Sequence, residues 1–504
     1  MSRINTNVQS MLAQRVLGQN NNQLNQSLER LSTGLKINRG ADDPAGLIAS
    51  ENLRSEEVSI EAAINNAERA DQVVNIAEGG LQEVNSLLLE LQSLVGESAN
   101  DAGLSSDERA ANQQQIDSIL QTIDRISSTT SFQGTKLLNG TFDFTVSGQD
   151  NTISEFQINA AKLGFEEQRD VQMLVTQSAQ QAGLFLSLGG GVDLGGAGTA
   201  APDNRFTFEV AGALGSREFT FASGTTLDSV ADQINTFSTV TGVSAATGGS
   251  GVLLNSTETG SDQFVSIDVI DDGGVVGDGV FSNDANNALS AATTGAETFA
   301  SITNPVRDEG IDVGAIINGI SATSRGNTAR INTDFLDVEI TLSAGGAQNL
   351  QTIDAFTITG GGAKFNLGPS VDIQNQVSLG IGNVAARNLG TVQNGFLDEL
   401  GSSRAANVED GNLSKGQKIV DDAISQVSSL RGRLGAFQKN IVGATIRSLG
   451  VALENTSAAE SLIRDTDFAE ETAELTRSQI LSQSAQQSLS LANNQPQQVL
   501  QLLG

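Results

Sequence analysis

The 504-residue chain contains no cysteine, histidine, tryptophan or tyrosine. Without Cys there is no disulfide. Without Cys and His there is no Ser-His-Asp or Cys-His nucleophile and no ordinary zinc site. An enzyme on this chain would have to work with carboxylates, Lys, Arg or Ser, and 59 acidic residues make carboxylate pairs by chance. The missing thiols do not by themselves place the protein in the cytosol. Long apolar runs are also absent: no stretch approaches the roughly 18 residues needed to cross a bilayer. The opening Met1-Ser2-Arg3-Ile4-Asn5-Thr6-Asn7 has neither an apolar core nor a small-residue cleavage site. The expectation is therefore a cytoplasmic protein, or one exported by a route that needs no cleaved signal.

Basic residues are scarce, 28 against 59 acidic, for a net charge of −31. Such a chain is soluble, and nucleic acid and anionic membrane repel it. Between residues 181 and 372 there are 22 acidic and 6 basic residues, about half of the excess. That asymmetry suits an outward-facing, solvated part, and equally a solubility feature with no partner. At about 150 residues per domain, three or four domains are expected.

What the chain does have is a heptad pattern at both ends. Apolar residues recur at steps of three and four from Ile60 to Val95, through Ala67, Val74, Leu81, Val84, Leu88 and Leu91. The spacing returns at Val420, Ala423, Val427, Leu430, Leu434, Phe437, Ile441 and Ala444, then Val451, Ala458 and Leu462. These are narrow coiled-coil seams that need partner helices. More than 300 residues lie between them, so the chain leaves and returns, as in a long rod with an insertion at its far end.

Nearer the start, Leu17, Leu24, Leu28, Leu31 and Leu35 mark a sparse stripe broken by Asn20-Asn21-Asn22. So little apolar area predicts disorder until a neighbour covers it. A turn follows at Asp42-Asp43-Pro44, with Asp43 as cap and Pro44 at the first helical position. After a break near 96–105, Ser105-Ser106-Asp107-Glu108 opens a second helix. Phe142, Phe144 and Val146 alternate, as do Phe156 and Ile158, which suits the strands of a hairpin. From about Ala179 the chain turns Gly-rich and mostly β, with one amphipathic helix carrying Leu227, Val230, Ala231 and Ile234. Helical patterning resumes near Asn383. A last Gln- and Ser-rich helix, 468–493, has only a thin stripe that includes Leu475 and Leu489, and Pro496 is expected to interrupt it.

Several blocks resemble the bacterial flagellins. At the N-terminal end they are Ile4-Asn5-Thr6-Asn7, Leu31-Ser32-Thr33-Gly34-Leu35-Lys36-Ile37-Asn38, Asp42-Asp43-Pro44-Ala45-Gly46-Leu47 and Phe132-Gln133-Gly134-Thr135-Lys136-Leu137-Leu138. At the C-terminal end they are Asp421-Asp422-Ala423-Ile424, Arg431-Gly432-Arg433-Leu434-Gly435-Ala436, Ile463-Arg464-Asp465-Thr466-Asp467 and Leu500-Gln501-Leu502-Leu503. The resemblance covers about the first 178 and last 120 residues. It implies a secreted structural subunit of the flagellar filament, mainly α at its two ends, with an antiparallel coiled-coil rod and β-hairpin. The domain plan it implies is an inner terminal coiled-coil domain (1–42 plus 463–504), a helical rod (43–178 plus 383–462) and a solvent-facing β-rich insertion (179–382). The insertion would hold one or two small domains and a β-α-β module near 205–272. The assembly seam would run through Leu24, Leu28, Leu31, Leu35, Val74, Leu81, Val84, Leu88, Leu91, Leu430, Leu434, Phe437, Ile441, Leu475 and Leu489.

The resemblance further implies copies of the chain itself as partners, hook-associated and cap proteins, a type III flagellar export apparatus, and an export chaperone on the C-terminal helix. No catalytic residue, metal or cofactor is implied, and neither nucleic acid nor membrane insertion. Flagellins sensed by the animal innate receptor carry an Arg followed four residues later by Leu. The matching positions here are Glu90 and Leu94, so weak or absent receptor activation is expected. The nearest alternative is a hook–filament junction protein. An enzyme carried by the insertion is a different class, whose zinc version the absence of His excludes, and an adhesin is a third, which no aromatic-rich patch supports. Gly380-Ile381-Gly382 is read as linker rather than a dinucleotide site, since no βαβ unit surrounds it. Asp271, Asp272 and Asp278 lack EF-hand spacing and are read as a solvated loop.

Overall fold

A computed structural model describes residues 6–100, 103–164, 167–192, 205–275, 279–282 and 298–503, except the side chains of 300 and 496–503. The helices are α1 (Val8–Thr33), α2 (Pro44–Ser98), α3 (Ser106–Thr129), α4 (Leu227–Thr236), α5 (Ser238–Thr241), α6 (Ala344–Gln348), α7 (Leu413–Ala436), α8 (Gly443–Arg464) and α9 (Phe468–Leu503). A π-helical turn, Phe437–Val442, joins α7 to α8. The chain divides into two compact units. One comprises Met1–Gln72, Phe365–Gln376 and Gly435–Gly504, and the other Val73–Lys364 and Val377–Leu434.

In the first unit, the outermost helices α1 and α9 pack on one another. Asn7 caps α1 by accepting from the Ser10 N–H. The Asn triplet does not interrupt α1, and the α9 backbone continues through Pro496. Asp42 accepts from the N–H groups of Asn38 and Arg39, and Asp43 from Ala45 and Gly46, which starts α2 at Pro44 as the capping chemistry predicts. Gly34, at φ 78°, ends α1 in the left-handed region. Beside it, Leu35 forms an isolated antiparallel bridge with Asp465. The Lys36 N–H donates to Arg464 O at 2.6 Å and the Thr466 N–H to Gly34 O at 2.9 Å.

In the second unit, Val74, Leu81, Val84, Leu88 and Leu91 of α2 are fully buried, as are Ile116 and Ile123 of α3 and Val420, Ala423, Val427 and Leu434 of α7. Arg431 pairs with Glu78 at 2.9 Å and Gln92 donates to Asp421 at 2.7 Å, so α2 and α7 run antiparallel. Ser105 and Glu108 form the capping box that opens α3. The tight hairpin here is Ser131–Phe132 with Thr135–Lys136, turning at Gln133 (φ 49°) and Gly134 (φ 86°).

The strands Phe144–Ser147 and Ile153–Ala161 are not paired with each other, contrary to the expected hairpin. Phe144–Ser147 pairs with Thr352–Gly361, and Ile153–Ala161 with Leu336–Leu342. Their apolar alternation is real but feeds two sheets that close over one core, which includes Ile158, Val171, Met173, Val338, Ile340 and Ile358. A second core joins Phe206, Phe208, Phe219 and Phe221 with Leu184, Leu254, Ile267 and the inner face of α4. Helical structure also resumes later than residue 383: a two-strand ribbon, Gly390–Thr391 with Gly395–Phe396, and the 3₁₀ turn Leu397–Leu400 precede α7.

Glu155 is half-buried on the strand Ile153–Ala161. Burial, with Asp422 and Glu339 nearby, pushes its carboxyl above the usual carboxylate range. Its stabilising contribution is complete below the unfolded-state pKa and lost as pH rises through the raised folded value. Glu155→Gln is therefore expected to raise Tm by roughly 1–3 °C at pH 7 and by nothing measurable near pH 4, read by calorimetry at both.

Candidate assembly surface

The α1–α9 seam mixes leucines with small and polar residues. On α1 the covered positions step by threes and fours through Ser10, Ala13, Leu17, Asn20, Leu24, Ser27 and Leu31. On α9 they step likewise through Glu471, Leu475, Ser478, Ser482, Ala485, Leu489 and Ala492. Ser10, Ser27, Glu471, Ser478, Ser482, Ala485 and Ala492 are the buried ones, while Leu24, Leu31, Leu475 and Leu489 are half-buried. The seam is stitched by polar contacts: Asn7 Nδ2 to Ala492 O (2.7 Å), Ser10 Oγ to Asn493 (2.7 Å), Ser482 Oγ to Asn21 (2.8 Å) and Gln23 Nε2 to Glu474 (3.2 Å). Arg30 and Glu471 add an ion pair at 3.5 Å.

A second set of large aliphatics points away from this seam. Val8, Met11, Leu12 and Val16 of α1 are exposed, as are Ile480, Leu481 and Leu491 of α9. Leu28, placed on the seam by its spacing, is 47% exposed and belongs to this outer set. Reading apolar residues alone finds the leucines of this seam, Leu17, Leu24, Leu31, Leu475 and Leu489, but not its Ser, Ala and Asn positions. The signal that could have found it is the heptad recurrence of small residues.

Elsewhere the candidate seam residues divide. Val74, Leu81, Val84, Leu88, Leu91, Leu430, Leu434 and Phe437 are buried, Leu35 is half-buried, and Ile441 is exposed. Glu90 is exposed on α2, whereas Leu94 is only 7% exposed. Among the described residues there is no group of three or more metal-ligating side chains, and no helix is long and apolar enough to cross a membrane. Asp278 and the side chains of Val499, Leu500, Leu502 and Leu503 lie outside the described residues.

A cleft of about 300 Å³ in the second unit is lined by Asp143, Glu155, Gln426 and Arg433. Arg433 donates to Asn159 Oδ1, and burial holds its guanidinium below the usual arginine range. Burial pushes Asp143 up. This is a polar junction of α7 with the strand Ile153–Ala161.

Polar-seamed helices from both chain ends, with aliphatics turned outward and a β-rich middle, define a self-assembling structural subunit. Residues 4–143 match the bacterial flagellin N-terminal helical region, 417–503 the bacterial flagellin C-terminal helical region, and 205–258 the flagellin hook IN motif. Flagellin B of Helicobacter pylori (strain J99 / ATCC 700824) is 29% identical over 544 residues, covering 99% of both chains. The B-type flagellin of Pseudomonas aeruginosa PAO1 is 28% identical over 549 residues with the same coverage. Among solved structures, the D1-D2-D3 domains of the flagellar cap protein from Escherichia coli share 17% identity at a TM-score of 0.26, covering 48% of this chain and 64% of that one, too weak a likeness to carry an argument. The chain belongs to the bacterial flagellins, structural proteins that polymerise into the extracellular flagellar filament and drive motility.

Proposed function

We propose that the α1–α9 pair acquires its rigid form in the filament, where neighbouring copies cover its outer aliphatics, so that assembly energy and folding energy are one quantity. The observation that carries this is the thin seam: its buried positions are small or polar and its leucines only half-buried, while Val8, Met11, Leu12, Val16, Ile480 and Leu491 lie outside. In this reading residues 1–42 and 463–504 form the inner layer, 43–178 and 383–462 the rod around it, and 179–382 the outer face. The exposed Gln479, Gln483, Gln486 and Gln487 of α9 suit a wet channel lining.

Before export the same α9 aliphatics need cover, and Ile480, Leu481 and Leu491 are exposed positions an export chaperone would shield. Hook-associated and cap proteins are the partners expected at the filament's two ends. Amide hydrogen exchange tests the coupling. In purified monomer, α1 and α9 are expected to exchange at least about a hundredfold faster than the Leu81–Leu91 stretch of α2, and to gain protection on polymerisation. Terminal helices already protected in the monomer would overturn the proposal.

A further inference from the structure

Asn precedes Gly at three places, Asn139-Gly140, Asn318-Gly319 and Asn394-Gly395. With no Cβ on the second residue, its backbone nitrogen can reach the Asn side-chain amide with little steric obstruction. Whether it does so depends on how the fold holds that amide, and the three sites differ. Asn318, at φ 49°, turns between Gly314–Ile317 and Ile320–Ser321. Its Oδ1 accepts from the Gln172 N–H at 2.8 Å and its Nδ2 donates to Asp170 O at 3.0 Å, so both ends of the amide are fastened to the neighbouring strand. Asn394 is half-buried, and its Nδ2 donates to Asp422 at 2.7 Å. Asn139 is exposed and only its oxygen is engaged: Oδ1 accepts from the Thr141 N–H at 3.1 Å and from the Thr141 hydroxyl at 2.7 Å. Among the described residues, neither Asn139 Nδ2 nor the Gly140 N–H has a hydrogen-bond partner.

Two donors on Oδ1 are what attack at Cγ needs, because the negative charge of the tetrahedral intermediate collects on that oxygen. We propose that Asn139 is a self-modification site, at which the Thr141 donors promote conversion of the side-chain amide to a carboxylate. Gly140 N gives its proton to solvent base and bonds to Asn139 Cγ. The intermediate expels Nδ2, which leaves as ammonia after taking a proton from water, and a five-membered imide remains. One water then opens the ring. Addition at Cγ gives an ordinary aspartate, and addition at the main-chain carbonyl gives an isoaspartate, with the backbone rerouted through the former side chain. No electrons are transferred, and amide plus water becomes carboxylate plus ammonium. The isoaspartate adds a methylene to the main chain of a loop with little slack. On one side the O of fully buried Leu138 accepts from Ser127 Oγ at 2.8 Å and from the Val384 N–H at 3.0 Å. On the other, Gly140 O accepts from the Asp143 N–H at 3.1 Å. The lengthened backbone cannot keep both sets of bonds, so aged copies loosen where this loop ties to α3.

Peptide mass spectrometry of the purified full-length chain, incubated at mildly alkaline pH, follows all three Asn-Gly pairs in one sample. In the folded chain Asn139 is expected to convert at least about tenfold faster than Asn318 or Asn394, and in urea all three at similar rates. Thr141→Val is expected to slow conversion of Asn139 about threefold or more with the melting temperature unchanged, while Thr141→Ser keeps the native rate. Equal folded-state rates at the three sites, or an Asn139 that converts more slowly folded than in urea, would overturn the proposal. A Thr141→Val chain that converts as fast as the native one would overturn it too.

Discussion

Removing residues 1–42 and 463–504 abolishes filament growth while the remaining chain stays folded and soluble. The expectation follows from where the apolar area lies. The terminal pair exposes Val8, Met11, Leu12, Val16, Leu28, Ile480, Leu481 and Leu491. Covering an aliphatic side chain contributes on the order of 1.5 kcal/mol, and every 1.4 kcal/mol is about tenfold in association. Losing even half of these contacts moves the critical concentration by several orders of magnitude. The second unit keeps its own helical seam and two β cores, so its urea transition is expected to survive truncation. Sedimentation and electron microscopy of the truncated chain, with the native chain alongside, decide the matter, and long fibres of native appearance would contradict it.

Leu88→Ala is expected to cost about 2–5 kcal/mol of stability in the second unit. Leu88 is 0% exposed, in the middle of the α2 seam, so the substitution removes buried methyl groups and leaves a cavity among side chains that cannot all close in. The neighbouring Leu89 is 50% exposed, and Leu89→Ala is expected to cost less than about 0.5 kcal/mol. The pair separates core packing from helix propensity, since both replace the same residue type in the same helix turn. Urea denaturation followed by circular dichroism measures the contrast. Equal midpoints for the two variants would show that this seam does not bear the stability assigned to it.

The long seam of the rod was legible because Leu and Val sit at heptad spacing and few other positions compete. The terminal seam was legible only at leucines such as Leu24, Leu31, Leu475 and Leu489, since Ser10, Ser27, Ser478 and Ser482 score as polar whichever way they face. Leu28 was drawn inward for the converse reason: it is apolar and near the right spacing, yet it lies one position past the buried Ser27. On the C-terminal helix the spacing placed Ile441 on the seam, but the π-turn Phe437–Val442 shifts the phase, and Val442 is buried in its place. In the β region, alternation located the strands but not their partners. Ile158 pairs with Val338 and Phe144 with Gly361, across separations at which no turn chemistry dictates register.

The clasp between Gly34, Leu35 and Lys36 on one strand and Arg464, Asp465 and Thr466 on the other has a mechanical consequence. Both helix breaks, before α2 and after α8, are tied together by main-chain bonds. Bending at one break strains the bonds to the other, so in the assembled filament the two polypeptide ends are expected to move as a single lever.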